Sequence, residues 1–319
     1  MSRSILVTGG AGFIGANLVP YLLERDFSVS VYDNLSRGRR EFLDGYDVEF
    51  MEGDILDLES LEKAFRGRDG VIHLAAYGSV IESIEDPLMN FEINARGVVN
   101  VLTAARDCGV GQVLFASTGG ALIGDAEPPV DESSLPKPIS PYGAGKLVGE
   151  GYMHAFAKSY GMRTTALRFA NVYGPVSAHK KGALTVFIKA IMSNRPITIY
   201  GDGSASRDFL FVSDLCAGIE RALSSELTPG CVFHLASGRE TSIKELALRL
   251  CAVAGCPDFA IEYEPARRGE VLRNFADFSL ARKQLGFEPK VSLDEGLAAT
   301  WEWFQARGAR VLGLRSMDS

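Results

Sequence analysis

Tyr142 and Lys146 place a phenol and an ammonium four residues apart in the segment Tyr142-Gly143-Ala144-Gly145-Lys146. On a helix this spacing puts both side chains on one face, one turn apart. A free tyrosine has a pKa near ~10 and is a poor base at neutral pH. Lowering that pKa by about three units requires roughly 4 kcal/mol of preferential stabilisation of the phenolate, which nearby cations supply. The pair predicts a tyrosine that takes a proton from a hydroxyl, although the same spacing is common on solvated helix surfaces.

Two hydroxyl residues, Ser117 and Thr118, end a predicted strand upstream of this pair. The carboxyl edge of an open α/β sheet is where ligands bind. A hydroxyl there would bond the reacting oxygen and pass its proton to Tyr142, whereas the alternative is a side chain that caps a turn. Gly119 and Gly120 leave the local register open, so both hydroxyls stay candidates, with Thr118 favoured over Ser117.

A glycine-rich turn, Thr8-Gly9-Gly10-Ala11-Gly12-Phe13-Ile14-Gly15, follows the first predicted strand and opens the first helix. This strand–turn–helix context distinguishes a dinucleotide fingerprint from a chance glycine pattern. Gly9 permits the tight turn, Gly12 lets the backbone approach the pyrophosphate, and Gly15 lets helix and strand pack closely. The helix N-terminus then offers unpaired N–H groups to the phosphates. The sequence therefore predicts a dinucleotide-binding site.

Asp33 ends the second predicted strand, where an acidic residue accepts hydrogen bonds from the adenosine ribose. A carboxylate at this place repels a 2′-phosphate, so NAD is favoured over NADP. Arg37, Arg39 and Arg40 keep the alternative open, since an arginine pairs readily with a phosphate, although a solvated loop also explains them.

Residues after the third and fourth strands extend the predicted cofactor site. Asp54 and Ile55 are placed along the adenine, and Leu74 to Ala76 along the dinucleotide. The predicted cofactor contacts are Gly9, Gly12, Phe13, Ile14, Gly15, Asp33, Asn34, Ser36, Asp54, Ile55, Leu74, Ala75, Ala76, Asn94, Tyr142 and Lys146.

The first half of the chain alternates short apolar runs with helical patterns, which is typical of a parallel sheet with crossover helices. Strands are predicted at Ser4–Thr8, Ser28–Asp33, Val48–Glu52, Gly70–Ala75, Gln112–Ser117 and Arg163–Phe169. Helices are predicted near Phe13–Glu24, Leu58–Phe65, Asn90–Cys108 and Tyr142–Tyr160. The pattern predicts an α/β protein with a Rossmann-type doubly wound parallel sheet.

After about Gly174 the strands become shorter and mix with helices. Strands are predicted at Ile197–Tyr200, Phe209–Val212, Val232–Leu235 and Ala260–Tyr263, and helices at Leu184–Met192, Ser213–Leu223, Ile243–Val253 and Leu293–Gln305. We expect a dinucleotide-binding domain over residues 1–174 and a smaller C-terminal substrate-binding α/β lobe over residues 175–319. Whether the chain crosses between the lobes stays open.

The overall composition excludes several classes of partner. A formal charge of −7 and a pI near 5.3 argue against nucleic acid and anionic membranes, which reward clustered Lys and Arg. The five cysteines contain no CxxC pair and the four histidines show no ligand spacing, so neither a disulfide framework nor a metal site is expected. No signal sequence or membrane-spanning run is evident, which predicts a soluble cytoplasmic protein.

Together these motifs resemble the nucleotide-sugar epimerase/dehydratase group of the extended short-chain dehydrogenase/reductase superfamily, over nearly the whole chain. The similarity is carried by Thr8–Gly15, His73-Leu74-Ala75-Ala76, Asn94-Ala95-Arg96-Gly97, Ser117-Thr118-Gly119-Gly120, Tyr142–Lys146, Leu167–Pro175, Tyr200-Gly201-Asp202-Gly203 and Arg207-Asp208-Phe209. One departure is Leu122-Ile123-Gly124, where the family often has Val-Tyr-Gly, which puts the pocket shape there in doubt.

The resemblance implies a second lobe that binds a nucleotide diphosphate. Carried onto this chain, Asn171, Arg207 and Arg267 would hold the diphosphate, and an arginine suits that task as a permanent cation with planar donors. Surface salt bridging is the alternative for both arginines. The resemblance also implies a homodimer formed through the helices near Asn90–Cys108 and Tyr142–Tyr160.

Among the activities of this group, the resemblance favours 4-epimerisation of a UDP-sugar through a transient 4-keto intermediate. Dehydratases of the group carry an Asp-Glu pair directly after the catalytic threonine, and here Gly119 and Gly120 cannot transfer protons. The alternatives are another nucleotide-sugar oxidoreductase or dehydratase, or a non-catalytic NAD(H)-binding sensor; sensors of this kind tend to lose the Tyr or the Lys.

The sugar is indicated by two positions. In related epimerases a tyrosine seven residues after the phosphate arginine excludes N-acetyl groups, and counting from Arg267 gives Asn274. Ser79, in Tyr77-Gly78-Ser79-Val80, resembles the segment that faces the acetamido group, although both residues also suit plain loop positions. We expect UDP-GlcNAc/UDP-GalNAc, with UDP-glucose/UDP-galactose as co-substrates. The predicted substrate contacts are Ser79, Thr118, Tyr142, Asn171, Arg207, Arg267 and Asn274.

Overall fold

The computed structural model describes residues 2–266 and 271–312, with side chains to residue 308. The elements of the first half are β1 (Ser4–Thr8), α1 (Phe13–Leu23), β2 (Ser28–Asp33), a 3-10 turn (Arg40–Leu43), β3 (Glu49–Glu52), α2 (Leu58–Phe65), β4 (Gly70–His73), α3 (Val80–Glu85), α4 (Pro87–Phe91), a π-helical segment (Glu92–Arg96), α5 (Gly97–Asp107), β5 (Gln112–Thr118), α6 (Gly120–Ile123), α7 (Pro141–Tyr160) and β6 (Arg163–Phe169).

The elements of the second half are β7 (Asn171–Tyr173), α8 (Ala183–Met192), β8 (Ile197–Tyr200), β9 (Ser206–Arg207), β10 (Phe209–Phe211), α9 (Val212–Ser224), β11 (Cys231–Leu235), β12 (Thr241–Ser242), α10 (Ile243–Val253), β13 (Ile261–Glu264), β14 (Arg273–Asn274), α11 (Ser279–Leu285) and α12 (Leu293–Leu312).

Seven strands form one parallel sheet in the order β11-β6-β5-β4-β1-β2-β3. The strand order reverses between β1 and β4, which pair directly, with Thr8 opposite His73. Such a reversal opens a crevice at the carboxyl ends of the two strands, where ligands of doubly wound sheets bind. The predicted α/β, Rossmann-type fold is confirmed.

The central strands β1, β4 and β5 are buried on both faces, which explains their almost continuous apolar runs. Along β5, Leu114 and Ala116 enter the core built with α1 and α9, whereas Val113 and Phe115 enter the core built with α2, α5 and α7. Because successive strand side chains point to opposite faces, one apolar run supplies both cores.

The edge strand β11 comes from the second half of the chain. Cys231 to Leu235 pair in parallel with Thr165 to Phe169 of β6, whereas the sequence places Val232–Leu235 with the shorter strands of the C-terminal lobe. The preceding helix α9 also packs on this sheet, against α1 and β5. The chain therefore leaves the large sheet after β6 and returns to it through α9 and β11. A short apolar strand does not reveal which sheet will accept it.

The remaining C-terminal elements build a separate core. Phe187, Ile188, Leu246, Leu250 and Leu297 bring α8, α10 and α12 together. Three small sheets border this core: β10 with β7, β12 with β9 and β14, and β13 with β8. We retain the division into a dinucleotide-binding and a substrate-binding lobe as a proposal, with α9 and β11 belonging to the large sheet.

The predicted helix over Asn90–Cys108 is interrupted. A π-helical segment, Glu92–Arg96, separates α4 from α5. Single π-turns inside α-helices shift the side-chain register. Here Asn90 and Asn94, on either side of the start of that segment, both bond the backbone of Tyr77.

Across residues 2–266 and 271–312, we find no helix with the length and apolarity needed to cross a membrane.

Candidate active site

The glycine turn lies where β1 meets β4. Gly9 has a left-handed φ of 70° and donates its N–H to the backbone oxygen of Tyr32 at 2.8 Å. A Cβ on Gly9 would lie 2.6 Å from the Ala75 nitrogen, and one on Gly15 would lie 2.4 Å from the Gly10 backbone. No side chain caps the N-terminus of α1, and its first turn holds no acidic residue. The turn therefore presents backbone N–H donors at the crevice, which suits a pyrophosphate.

Asp33 is buried at the end of β2. Its carboxylate accepts from the Ala11 N–H at 3.0 Å and from the Leu35 N–H at 2.8 Å. Burial raises the pKa of Asp33, and the two backbone bonds oppose that rise. Each oxygen keeps capacity for a further donor, as a ribose would require.

The three neighbouring arginines all have partners. Arg37 pairs with Glu82 and lies over the Tyr77 ring at 4.4 Å. Arg39 pairs with Glu41 at 3.4 Å, and Arg40 lies over the Phe50 ring at 5.0 Å. Their engagement elsewhere favours NAD over NADP.

Hydrogen bonds link Asn34, Ser36 and Asp54 next to Asp33. Asn34 Nδ2 donates to Asp54 Oδ2 at 2.9 Å, and Ser36 Oγ donates to Asn34 Oδ1 at 2.6 Å. Ile55 is buried, and its Cδ1 fills the space where a Cβ on Gly97 would lie. These residues form a hydrogen-bonded wall beyond Asp33.

The segment after β4 is held by hydrogen bonds to Thr8 and Asn94. Leu74 and Ala75 donate their N–H groups to the Thr8 oxygen and hydroxyl, at 3.0 and 3.4 Å, and the partly buried Ala76 follows. The Asn94 side chain accepts from the Tyr77 N–H at 2.9 Å and donates to the backbone oxygen of Tyr77 at 3.0 Å. Asn94 therefore shapes this segment, and its influence on a cofactor would be indirect.

Tyr142 and Lys146 lie at the start of α7, whose N-terminus is fixed by local sequence. Ser140 Oγ caps the helix by accepting from the Gly143 N–H at 3.2 Å, and Pro141 occupies the first turn. A proline suits that position because its missing N–H would have no helical partner. The Tyr142 N–H donates to the buried Ser83 Oγ at 3.2 Å, which ties α7 to α3.

The two side chains share one face, as the spacing predicts. Lys146 Nζ lies 5.9 Å from the centre of the Tyr142 ring and donates to the Ala116 oxygen at 2.8 Å. Burial raises the pKa of Tyr142 to about 12. Burial also lowers the pKa of Lys146 to about 7, against the opposing influence of Glu150. Burial therefore favours the neutral phenol in the free protein, so that lowering the pKa of Tyr142 calls for positive charge in addition to Lys146.

The structure separates the two candidate hydroxyls. Ser117 is buried, and its Oγ donates to Glu150 Oε1 at 2.6 Å. Thr118 is partly exposed, and its hydroxyl bonds no residue in the part of the chain that the structure describes. The geometry therefore favours Thr118 over Ser117 as the hydroxyl available to a ligand, because the Ser117 hydroxyl already donates to Glu150.

Three of the predicted substrate residues lie on the small strands β7, β9 and β14. Asn171 is exposed at the start of β7, beside Phe209 of β10. Arg207 of β9 pairs in register with Asn274 of β14 and donates to the Ser206 oxygen at 2.7 Å. Arg267 lies outside the described residues.

Asn274 lies against Gly120, two residues after the end of β5. It is buried, and its Nδ2 has no hydrogen-bond partner among the described residues. A Cβ on Gly120 would lie 2.9 Å from that nitrogen.

Ser79 caps α3 by accepting from the Glu82 N–H at 3.2 Å. Leu122 and Ile123, the departure from the family pattern, are buried in the core beside α1.

One feature that the sequence did not indicate is a set of ion pairs centred on Glu82 of α3. Glu82 pairs with Arg37, from the loop after β2, and with Lys181, from the loop before α8, at 2.7 Å. The adjacent Lys180 lies over the ring of Phe13, the first residue of α1, at 4.7 Å. We call Arg37, Glu82 and Lys181 the Glu82 bridge; it links three segments around the glycine turn.

Metal chemistry finds no support in residues 2–266 and 271–312, where no cluster of three or more His, Cys, Asp or Glu has ligating geometry. The cysteines of this part of the chain are free thiols.

The chain is similar to nucleotide-sugar enzymes along most of its length. Residues 5–236 match the family model described as NAD dependent epimerase/dehydratase family. A UDP-glucose 4-epimerase of Mycolicibacterium smegmatis is 38% identical over 94% of this chain and 98% of its own.

Two solved structures have the same fold. The UDP-glucose 4-epimerase of Thermotoga maritima with UDP-glucose has a TM-score of 0.91 and 37% identity, covering 95% of this chain and 99% of its own. The UDP-N-acetylglucosamine 4-epimerase of Methanobrevibacter ruminantium, in complex with UDP-N-acetylmuramic acid, has a TM-score of 0.91 and 32% identity, covering 96% of this chain and 99% of its own.

Proposed function

Since the chain belongs to the NAD-dependent epimerase/dehydratase family, we propose that it is a UDP-sugar 4-epimerase that works through a transient 4-keto sugar. The observation that carries this proposal is the end of β5, where an available Thr118 hydroxyl is followed by Gly119 and Gly120. Elimination of water from the sugar needs an acid and a base beside this hydroxyl, and two glycines supply neither. Oxidation and reduction at carbon 4 need only the tyrosine, its lysine, the hydroxyl and the cofactor.

The crevice at the carboxyl ends of β1 and β4 offers groups that suit NAD. The backbone N–H groups at the start of α1 would hold the pyrophosphate, and Asp33 would accept from the adenosine ribose. When bound, NAD supplies a hydride acceptor and donor and a positive charge in its oxidised form. That charge, with Lys146, would offset the burial that raises the pKa of Tyr142.

In the proposed reaction, Tyr142 takes the proton of the 4-hydroxyl, directly or through Thr118, and later returns it. Lys146 holds a positive charge beside the ring while the phenolate exists. Asn171 and Arg207 anchor the diphosphate, so that the 4-keto sugar turns about this anchor and presents its other face. Arg267 is proposed as a third anchor from the family pattern alone.

The first test is direct. The purified protein, with no cofactor added, is incubated with UDP-GlcNAc and separately with UDP-glucose, and the epimers are separated by chromatography. We expect interconversion and co-purified NAD. The Tyr142→Phe variant should lose at least about 10³-fold in kcat, because it removes the general base, while it retains NAD and UDP-sugar binding. Full activity in that variant would reject the assignment.

The proposed sugar is an N-acetylhexosamine, because the small Asn274 borders Gly120 and leaves an amide nitrogen without a partner. An acetamido oxygen is an apt acceptor for this donor. We expect Asn274→Tyr to lose UDP-GlcNAc turnover while keeping UDP-glucose turnover. If both substrates are affected equally, the selectivity lies elsewhere.

Cofactor content distinguishes the rival functions. A net 4-keto reductase or an oxidase releases its nicotinamide and needs added cofactor in each cycle, whereas an epimerase regenerates it. A dehydratase would yield a 4-keto-6-deoxy sugar, and a sensor would bind nucleotides without turnover.

We also propose a homodimer. Several apolar side chains are exposed on α4 and α7: Leu88, Met89, Phe91, Val148 and Tyr152. Monomeric proteins rarely expose such patches. We expect about twice the monomer mass in solution by light scattering, and a monomer for the double variant Leu88→Glu/Tyr152→Glu.

A further inference from the structure

A buried polar network begins at Ser117, the residue before Thr118 on β5. Ser117 Oγ donates to Glu150 Oε1 at 2.6 Å. Arg168 donates to the same carboxylate through Nε and Nη2, at 2.9 and 2.8 Å. All three residues are buried, and each comes from a different element: β5, α7 and β6.

Stability alone does not account for this network. Removing two charges from water costs free energy that their attraction often fails to return, and apolar replacements of a buried ion pair are often neutral or stabilising. Apolar side chains fill the equivalent positions elsewhere along β5, such as Val113 and Phe115. A buried ion pair does, however, restrict two elements to one relative position.

The network lies in register with the proposed catalytic pair. Glu150 is one helical turn beyond Lys146 and two beyond Tyr142, so it lies on the same face of α7. Lys146 Nζ donates to the Ala116 oxygen at 2.8 Å. Helix α7 therefore grips two successive residues of β5, Ala116 through Lys146 and Ser117 through Glu150.

Both bonds fall immediately before Thr118. Because side chains alternate along a strand, turning Ser117 towards α7 leaves the Thr118 side chain on the opposite face, partly exposed at the carboxyl edge. The bond from Ser117 to Glu150 thus leaves Thr118 as the hydroxyl exposed at this edge, and it fixes the end of β5 relative to α7.

We propose that Ser117, Glu150 and Arg168 are positioning residues that set the register between α7 and the end of β5. They thereby fix the Tyr142 oxygen relative to the Thr118 hydroxyl. They touch no reacting atom. This inference rests on the proposed roles of Tyr142 and Thr118.

The test is the Ser117→Ala variant, which removes one hydroxyl and leaves the Glu150–Arg168 pair intact. We expect kcat to fall about tenfold, while KM stays within twofold and the bound NAD content is unchanged, because groups out of alignment slow the chemical step without weakening binding. Ser117→Thr keeps the hydroxyl and should retain at least about a third of the wild-type kcat.

Thr164 provides a matched control. It is buried on β6, and its Oγ1 donates to the Met153 oxygen of α7 at 2.7 Å, so it also ties a strand to α7, but away from Tyr142. Thr164→Val should lower the midpoint of urea unfolding about as much as Ser117→Ala does, with kcat within twofold of wild type.

The outcomes separate the two proposals. Turnover is measured with whichever nucleotide sugar the wild-type protein converts, so absence of epimerisation counts against the proposed function alone. If Ser117→Ala loses stability but keeps kcat within twofold, the network is merely structural and the positioning role is wrong. A loss of kcat in Ser117→Thr as large as in Ser117→Ala would also overturn it.

Discussion

Burial opposes the charges that Tyr142 and Lys146 would carry in the proposed reaction. It raises the pKa of the phenol to about 12 and lowers the pKa of the ammonium to about 7. Burial therefore favours a neutral phenol in the free protein, and in the proposed mechanism a bound cation compensates for the lost hydration. The proposal thus links proton removal to cofactor binding.

The Lys146 side chain should leave a pH signature in stability. Its pKa is about 7 in the folded protein against 10.5 ordinarily, so the unfolded chain binds the extra proton between these values. The penalty on folding is fully present below about pH 7 and is lost as pH rises towards 10.5. Relative to Lys146→Met, the wild-type free energy of unfolding should rise across this range by up to about 4 kcal/mol.

Urea unfolding of both cofactor-free proteins at pH 7, 8.5 and 10 measures this difference. Lys146→Met should be the more stable protein at pH 7, and the gap should narrow by pH 10. If the free energy of unfolding depends on pH in the same way in both proteins, burial does not lower the pKa of Lys146.

At the scale of elements, the contact between α1 and the glycine turn leaves no room for a side chain. A Cβ on Gly15 would lie 2.4 Å from the Gly10 Cα and oxygen, which are backbone atoms. Gly15→Ala must therefore move α1 away from the turn. We expect co-purified NAD to be lost and stability to fall by about 2 kcal/mol or more.

Gly182→Ala is the control, since nothing lies within 4 Å of a Cβ there and its φ of −73° suits any residue. It precedes α8 as the N-cap, so we expect a cost below about 1 kcal/mol and full NAD content. If the two variants retain NAD equally, the tight contact at Gly15 does not shape the cofactor site.

Elements with a clear hydrophobic period could be predicted from sequence. The bounds of β1, β2, β6, α2 and α10 agree with prediction to the residue. Two-residue strands such as β9 and β14 carry no period and were not predicted. The sheet that accepts β11 depends on long-range pairing, which a single strand does not encode.

Some residues of the candidate site could likewise be predicted from the sequence, and others could not. The glycine turn and the Tyr142–Lys146 pair have local patterns, and the structure places them at the crevice and on one helix face. Glu150 and Glu82 acquire their partners from distant segments, so the local sequence marks neither residue. Only the period of α7, which puts Glu150 in line with Tyr142 and Lys146, offered a signal.

At the scale of the whole molecule, the Glu82 bridge joins the loop after β2, helix α3 and the loop before α8. Lys181 and Arg37 lower the pKa of Glu82, so the bridge stays charged at neutral pH. Partly exposed ion pairs contribute little each, up to about 1 kcal/mol. We expect Glu82→Gln to release bound NAD about fivefold faster at low salt, with kcat within threefold of wild type.

Displacement of NAD by a fluorescent analogue follows the release. Glu59→Gln serves as control, because Glu59 pairs with Lys63 at 2.7 Å on the surface of α2. Raising the salt concentration should speed release from wild type and leave Glu82→Gln nearly unchanged. Equal release rates from both variants at low salt would contradict a retaining role for the bridge.

The late position of β11 in the chain has a consequence during synthesis. About sixty residues separate the end of β6 from the start of β11, and a ribosome takes roughly 3–12 s to add them. Throughout that interval β6 presents an open edge, a ready template for another nascent chain. Truncation after residue 174 would make this vulnerable stage permanent, so the cofactor half of the protein should aggregate when expressed by itself.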